Sequence, residues 1–151
     1  QTICLIDLFA TCAELTGQKV PAGSSEDSVS FLPALHGKPI ASTRSGIIHH
    51  SFSGHFAYRM GKWKLNLAKA SGGWSSPTEK QAPKDTPKGQ LYDLDADPGE
   101  TRNLFVSNPD VVKQLLNQLK SDIALGRSTT GPNSKNDVDE IKLWKSERDP
   151  K

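Results

Sequence analysis

Hydrophobic and polar positions alternate most strictly within residues 46–67, GIIHHSFSGHFAYRMGKWKLNL. Phe56, Tyr58 and Met60 alternate with Ala57 and Arg59; beyond Gly61, Trp63, Leu65 and Leu67 alternate with Lys62, Lys64 and Asn66. A period of two on both sides of a Gly-Lys turn predicts a β-hairpin with one buried and one wet face. The apolar run 46–48 predicts a strand ahead of it that carries His49 and His50 towards its end, and QLYDL at 90–94 predicts a fourth. Three or more strands with a covered face are what an independently stable sheet needs.

Helical spacing flanks this core. Ile3, Ile6, Leu8, Phe9, Cys12 and Leu15 recur at helical intervals over 2–15, and Gly17 follows as a stop. A helix this short needs a partner to cover its stripe. Pro33 opens a short helical turn that Gly37 and Pro39 end, with His36 as a cap or surface residue. Asn108 caps a longer helix with Pro109 in its first position; Val112, Leu115, Leu116, Leu119 and Ile123 form its stripe and Gly126 closes it. Laid across Phe56, Tyr58, Trp63 and Leu65, it would bury side chains worth about 1.5 to 3 kcal/mol each. The fold class is therefore α+β: a small four-stranded antiparallel sheet with a C-terminal helix packed across it.

The connecting stretches are of two kinds. Residues 18–28 form a polar connector, and 68–89 form a Ser-, Gly-, Pro- and Lys-rich span without periodicity. Loops of that length are functional or disordered. Trp74 is its one large apolar residue, placed either to stack on a sugar or aromatic ring or to fold back and cap the sheet. In DADPGE, Pro98 and Gly99 suit the centre of a type II turn. The carboxylate spacing there resembles a calcium loop, but counting from Asp93, Pro98 stands where the sixth-position Gly belongs and Leu104 where the bidentate Glu belongs. Residues 128–151 read as a polar, disordered tail, apart from a weak helix over 139–145 that would let Trp144 dock.

Composition narrows the function. Hydrophobic residues are 34% of the chain and concentrate before residue 125, so the core is smaller than 151 residues suggest. With 19 basic against 17 acidic residues there is no field of the strength that nucleic-acid binding shows. No run of about 18 apolar residues spans a membrane. Cys4 and Cys12 lie about 12 Å apart on one predicted helix, too far for a disulfide without unwinding, and read as two small buried side chains. Gln1 is not an initiator methionine and no signal peptide follows it, so the chain is expected to be a piece of something longer, with any export signal upstream.

No Gly-x-Ser-x-Gly or phosphate-cradling Gly loop occurs, and neither cysteine has a histidine nearby in sequence. His49, His50 and His55 are the only concentrated titratable group. Neighbours in a strand point to opposite faces, so His49 and His50 share one site only if the strand ends there. Three roles stay open for the cluster: a structural or surface one, metal ligation, for which the spacing matches no closed zinc site, or hydrogen bonds to sulfate, phosphate or sugar oxygens.

The order DLFATCAELTG, DSVSFLPALHGK, FAYRMGKWKL, LYDLDADPGETRNL and a Pro-initiated helix resembles the C-terminal portion of type I sulfatases of the alkaline-phosphatase-like superfamily, over about residues 3–127. The HHSFSGHFAYRMGKWKL and GGWSSP segments look most like arylsulfatases of the N-acetylgalactosamine-6-sulfatase kind. The resemblance implies hydrolysis of sulfate esters by a formylglycine nucleophile, made from a Cys or Ser in a C/S-x-P-x-R motif, with calcium held by carboxylates and an Asn. No such motif and no such metal-binding pairs occur here. By resemblance they belong to a large N-terminal α/β domain, so no catalytic residue is expected in this chain and the chain alone is expected to be inactive.

The resemblance divides the chain into the end of the large domain and a connector (1–43), the C-terminal subdomain (44–127) and the tail (128–151). It assigns the subdomain to the wall of the substrate cleft, with His49, His50, His55 and Trp74 as candidate substrate-binding residues and Arg59, Trp63 and Lys64 as structural. The implied partners are a sulfated carbohydrate or aryl sulfate and the N-terminal catalytic domain; the implied location is periplasmic or secreted. A stand-alone carbohydrate- or protein-binding module is the alternative. An exposed apolar face on the first helix would favour the sulfatase, and a self-contained core the module.

Overall fold

The computed structural model describes residues 2–41 and 44–145. Seven elements follow one another: α1 (Asp7–Leu15), α2 (Leu32–Leu35), β1 (Ile47–His50), β2 (Phe56–Met60), β3 (Trp63–Asn66), β4 (Gln90–Asp93) and α3 (Pro109–Leu125). Two compact units result, residues 1–47 with 121–137 and residues 48–120 with 138–151, the division falling within β1 and α3.

The second unit is built on the sheet, whose order β1-β2-β3-β4 is that of the sequence. Gly61, at φ 58°, makes the turn between β2 and β3. A two-residue hairpin loop with glycine first is the turn whose twist matches the strands it joins. The register then sets Tyr58 opposite Leu65 and Leu65 opposite Leu91. These three form a row across three strands with no exposure to solvent. Leu115 and Leu119 of α3 are likewise fully buried, with Val112 nearly so, and the helix closes this face as its apolar stripe requires. Phe56 and Trp63 share the face but are only half-buried at its margin.

The first unit is held by polar contacts. Asp7 and Arg44 form a two-pronged ion pair, with Nη1 to Oδ1 and Nη2 to Oδ2 both at 2.7 Å and the side chains 1% and 6% exposed. The backbone N–H groups of Cys4 and Val29 also donate to the carboxylate. Burial alone would raise the Asp7 pKa; the hydrogen bonds from Arg44, Val29 and Cys4 outweigh it and hold the carboxyl below its ordinary value. Asp27 and Glu26 accept hydrogen bonds from Ser128 and Thr129.

Several expectations need correction. The first helix starts at Asp7, not residue 2, because the Asp7 carboxylate takes the Cys4 N–H and the chain before it forms a turn. Cys4 thus lies outside the helix, and Cys12 is exposed, not buried; both are free thiols. The 97–100 turn closes from Glu100 N–H to Asp97 C=O, but the left-handed residue is Glu100, at φ 54°, and not Gly99, so it is not type II. The Asp97 carboxylate fixes it by taking the N–H groups of Thr101 and Arg102. No helix forms over 139–145, yet Trp144 does pack, edge-on to Phe105 with ring centroids 6.3 Å apart. The remainder of the expected tail, beyond 145, lies outside the described residues. All three helices do end at the glycines the sequence marks, Gly17, Gly37 and Gly126.

Two substitutions separate the two kinds of stabilisation. Leu65→Ala empties the centre of the buried row and should cost about 2 to 5 kcal/mol in urea unfolding. Asp7→Ala leaves the Arg44 charge buried without its partner and should cost about 3 to 5 kcal/mol; a loss below about 1 kcal/mol would mean that the pair is effectively solvated.

Candidate functional site

With the helix on one face, the other face of the sheet is free for polar side chains. There the register aligns Ala57, Asn66 and Gln90 in one row and Arg59, Lys64 and Tyr92 in the next. Gln90 Nε2 donates to the carbonyls of Ala68 and Ala70, at 2.9 and 2.7 Å, and so draws the loop after β3 over the sheet edge. Glu79 secures the same loop by accepting from the N–H groups of Lys69, Ala70 and Gly72.

This arrangement leaves a cleft of about 330 Å³, whose polar lining includes His49, His50, His55, Lys64, Asn66 and Glu100. All three sequence-marked histidines therefore reach one site. His50 is the last residue of β1, so the strand ends where the two neighbours would otherwise have parted. His50 stands edge-on to Phe56 at 4.2 Å between ring centroids, and His55 Nδ1 lies 3.2 Å from the Leu67 carbonyl oxygen. Trp74 does not line the cleft. It is 77% exposed and packs on Phe52 instead of capping the sheet.

Lys64, Glu100, Asn66 and Gln90 were not marked as site residues by sequence reasoning. Lys64 Nζ donates to Glu100 Oε1 at 2.6 Å, which largely offsets its charge within the cleft. The signal that could have found these residues is the wet-face alternation itself: once β3 and β4 are paired, their polar positions fall side by side.

Partial desolvation lowers the pKa of His49, and the positive charge of Lys64 and neighbouring His50 and Arg59 act in the same direction. His50 is lowered by desolvation and by Lys145. Both imidazoles are thus neutral near pH 7, each offering one N–H donor and one nitrogen acceptor. Among the described residues no three His, Cys, Asp or Glu side chains are grouped to hold a metal ion.

No family model matches the chain. The small antiparallel sheet with its C-terminal helix is nonetheless a fold shared with sulfatases of known structure. A structure described under the metabolism of multiple glycosaminoglycans by Bacteroides thetaiotaomicron is similar at TM-score 0.58 and 32% identity, over 76% of this chain and 24% of that one. Another, solved in complex with its substrate D-glucosamine-2-N,6-O-disulfate, shares the fold at TM-score 0.54 and 22% identity, over 78% of this chain and 24% of the other. In sequence, the chain is 34% identical over 116 residues to the N-acetylgalactosamine-6-O-sulfatase of B. thetaiotaomicron, covering 77% of this chain and 22% of that protein. These matches support a sulfatase C-terminal portion, and the chain spans under a quarter of the length of that relative.

The lowered histidine pKa values can be checked directly. In an NMR titration, the His49 and His50 ring protons should show midpoints below 6.5. Because the unfolded chain then binds more protons than the native one, stability should fall as pH drops through 6.5 and below. Midpoints above 6.5 would contradict the electrostatics of the cleft.

Proposed function

We propose that this chain is the C-terminal, substrate-facing part of an enzyme that hydrolyses sulfate esters of a carbohydrate. The observation that carries this reading is the 34% identity to an N-acetylgalactosamine-6-O-sulfatase. The formylglycine nucleophile and calcium implied by the resemblance would be held by the other part of the enzyme; no residue of this chain is given a step in the bond cleavage. An aryl sulfate is the alternative substrate, and the location proposed is periplasmic or secreted, by resemblance.

The cleft gives the proposal its chemistry. Neutral His49 and His50, with the Asn66 amide, both donate and accept hydrogen bonds, as recognition of sugar hydroxyls requires, while the Gln90 amide is already engaged by the Ala68 and Ala70 carbonyls and the Tyr92 hydroxyl. Lys64 is already matched by Glu100, so the wall suits the uncharged body of a sugar better than the sulfate itself. Sulfate contacts and bond cleavage then fall to the catalytic domain, while this wall fixes which sugar is presented.

The exposed stripe of the first unit supports the same reading over a stand-alone binding module. Ile3, Leu5, Ile6, Leu8, Phe9 and Leu15 are between 45% and 81% exposed. A run of large apolar residues left in water is the mark of a surface that another domain covers. The occupant proposed is the catalytic domain of the same enzyme.

The test uses the complete enzyme. His50→Ala should raise KM for a sulfated sugar about threefold to tenfold, the range for loss of one hydrogen bond worth about 0.5 to 1.5 kcal/mol, with a smaller change in kcat. A collapsed kcat with KM unchanged would refute a binding role, and a complete enzyme that releases no sulfate from any sulfated sugar or aryl sulfate would refute the hydrolase.

A further inference from the structure

Phe52 and Trp74 come from two different loops, 22 residues of chain apart, yet their rings meet with centroids 4.0 Å apart and planes tilted by 44°. Both stay largely in water, at 68% and 77% exposure. Aromatic residues that serve only to close a loop are buried by it, and these two are not. Such rings carry a large apolar surface that gains free energy only when something covers it.

The pair stands at the rim of the histidine cleft. Ser51, which lines the cleft, directly precedes Phe52, and Gly72, which also lines it, lies two residues before Trp74. The two loops are tied together there: Ser51 Oγ donates to the Gly72 carbonyl and accepts the His55 N–H at 3.1 Å. Gly72 is required at this crossing, because its φ is 65° and a Cβ would come within 3.2 Å of the Ser51 side chain. The first loop is closed by Ser51 N–H to His55 C=O and Gly54 N–H to Ser51 C=O, each at 2.9 Å. Glu79 holds the second through three N–H groups. The rings are therefore mounted on two anchored loops, which lowers the ordering cost of binding on them.

We infer that Phe52 and Trp74 form a second sugar subsite, an apolar platform on which the C–H face of the residue adjoining the one in the cleft is stacked. The polar cleft grips one ring by its hydroxyls and the aromatic rim takes the uncharged face of the next. The occupant is a sulfated oligosaccharide and not an isolated sulfated sugar. This inference rests on the proposal that the enzyme acts on sulfated carbohydrate, and it adds Phe52, which no sequence signal singled out.

The test compares a tetrasaccharide carrying 6-O-sulfated N-acetylgalactosamine with the corresponding sulfated monosaccharide, using the complete enzyme. In Phe52→Ala and Trp74→Ala, the ratio of kcat/KM for tetrasaccharide over monosaccharide should fall about tenfold, equal to about 1.4 kcal/mol, through KM. His50→Ala should lower both substrates together and leave the ratio alone. Both rings are mostly exposed, so melting temperatures should stay within a few degrees of wild type. A ratio unchanged in both aromatic variants would overturn the subsite. If the wild type hydrolyses neither substrate, calorimetric titration of the tetrasaccharide decides separately. Binding weakened in Trp74→Ala would support the platform while the hydrolase reading fell, and binding unchanged in both variants would overturn the platform as well.

Discussion

The buried row of Tyr58, Leu65 and Leu91 is the constraint on which the rest of the sheet unit depends. Each lies on a different strand, and the register that lines them up also fixes where every other side chain of those strands points. A slip of one residue would carry Leu65 to solvent and Lys64 into the core, an exchange the fold could not survive. Once the row is committed to α3, the opposite row of Ala57, Asn66 and Gln90 has to face away from the helix. The polar floor of the cleft is thus a geometric consequence of burying the apolar face, and it needs no separate organising interaction.

The two units rest on different physics. Around α3, stability comes from apolar area, where losses scale with the atoms removed and the remaining neighbours relax in part. Around Asp7 and Arg44 it depends on complementarity: the carboxylate has its prongs matched by the guanidinium and further N–H donors, and removing one partner strands a charge. Such a pair adds little net stability over a well-packed apolar replacement, but it tolerates few alternatives. It therefore ties Cys4, Val29 and Arg44 together more by specificity than by strength. Ser28 adds to this by bonding Ile6 C=O and Ala10 N–H, which turns the supposed polar connector into an anchored segment.

How far the sequence could be read follows from the range of the interactions involved. Strand and helix boundaries that depend on alternation or on capping within a few residues were legible: Gly61 marks the hairpin and Pro109 the start of α3. The start of α1 was not: the Asp7 carboxylate takes the Cys4 N–H as well as the Arg44 guanidinium 37 positions away, and apolar spacing carries no trace of either contact. The Pro98-Gly99 turn was found in the right place with the wrong geometry, since the dipeptide suits more than one turn and the Asp97 carboxylate makes the choice. For the site, the histidines stood out as a local concentration, whereas Lys64 with Glu100 and Asn66 with Gln90 are joined only by tertiary pairing. Trp74 was visible as an isolated aromatic, but its companion Phe52 became meaningful only when Ser51 and Gly72 brought their loops together.

The electrostatic quietness of the cleft has a consequence for specificity on the proposed reading. A strongly cationic wall would attract any sulfated chain with little regard to where the sulfate is attached. Neutral imidazoles beside amides, with the one ammonium matched by Glu100, add little such general attraction and instead offer hydrogen bonds of fixed direction. Discrimination by such groups is steep, because a sugar lacking the right hydroxyl covers their polar atoms and leaves them unpaired. A site built this way selects a sugar by its hydroxyl pattern and leaves recognition of the sulfate to charges elsewhere in the enzyme. It also explains why an apolar platform at the rim suits it: stacking adds affinity for a second ring without adding charge, so the hydroxyl pattern stays decisive.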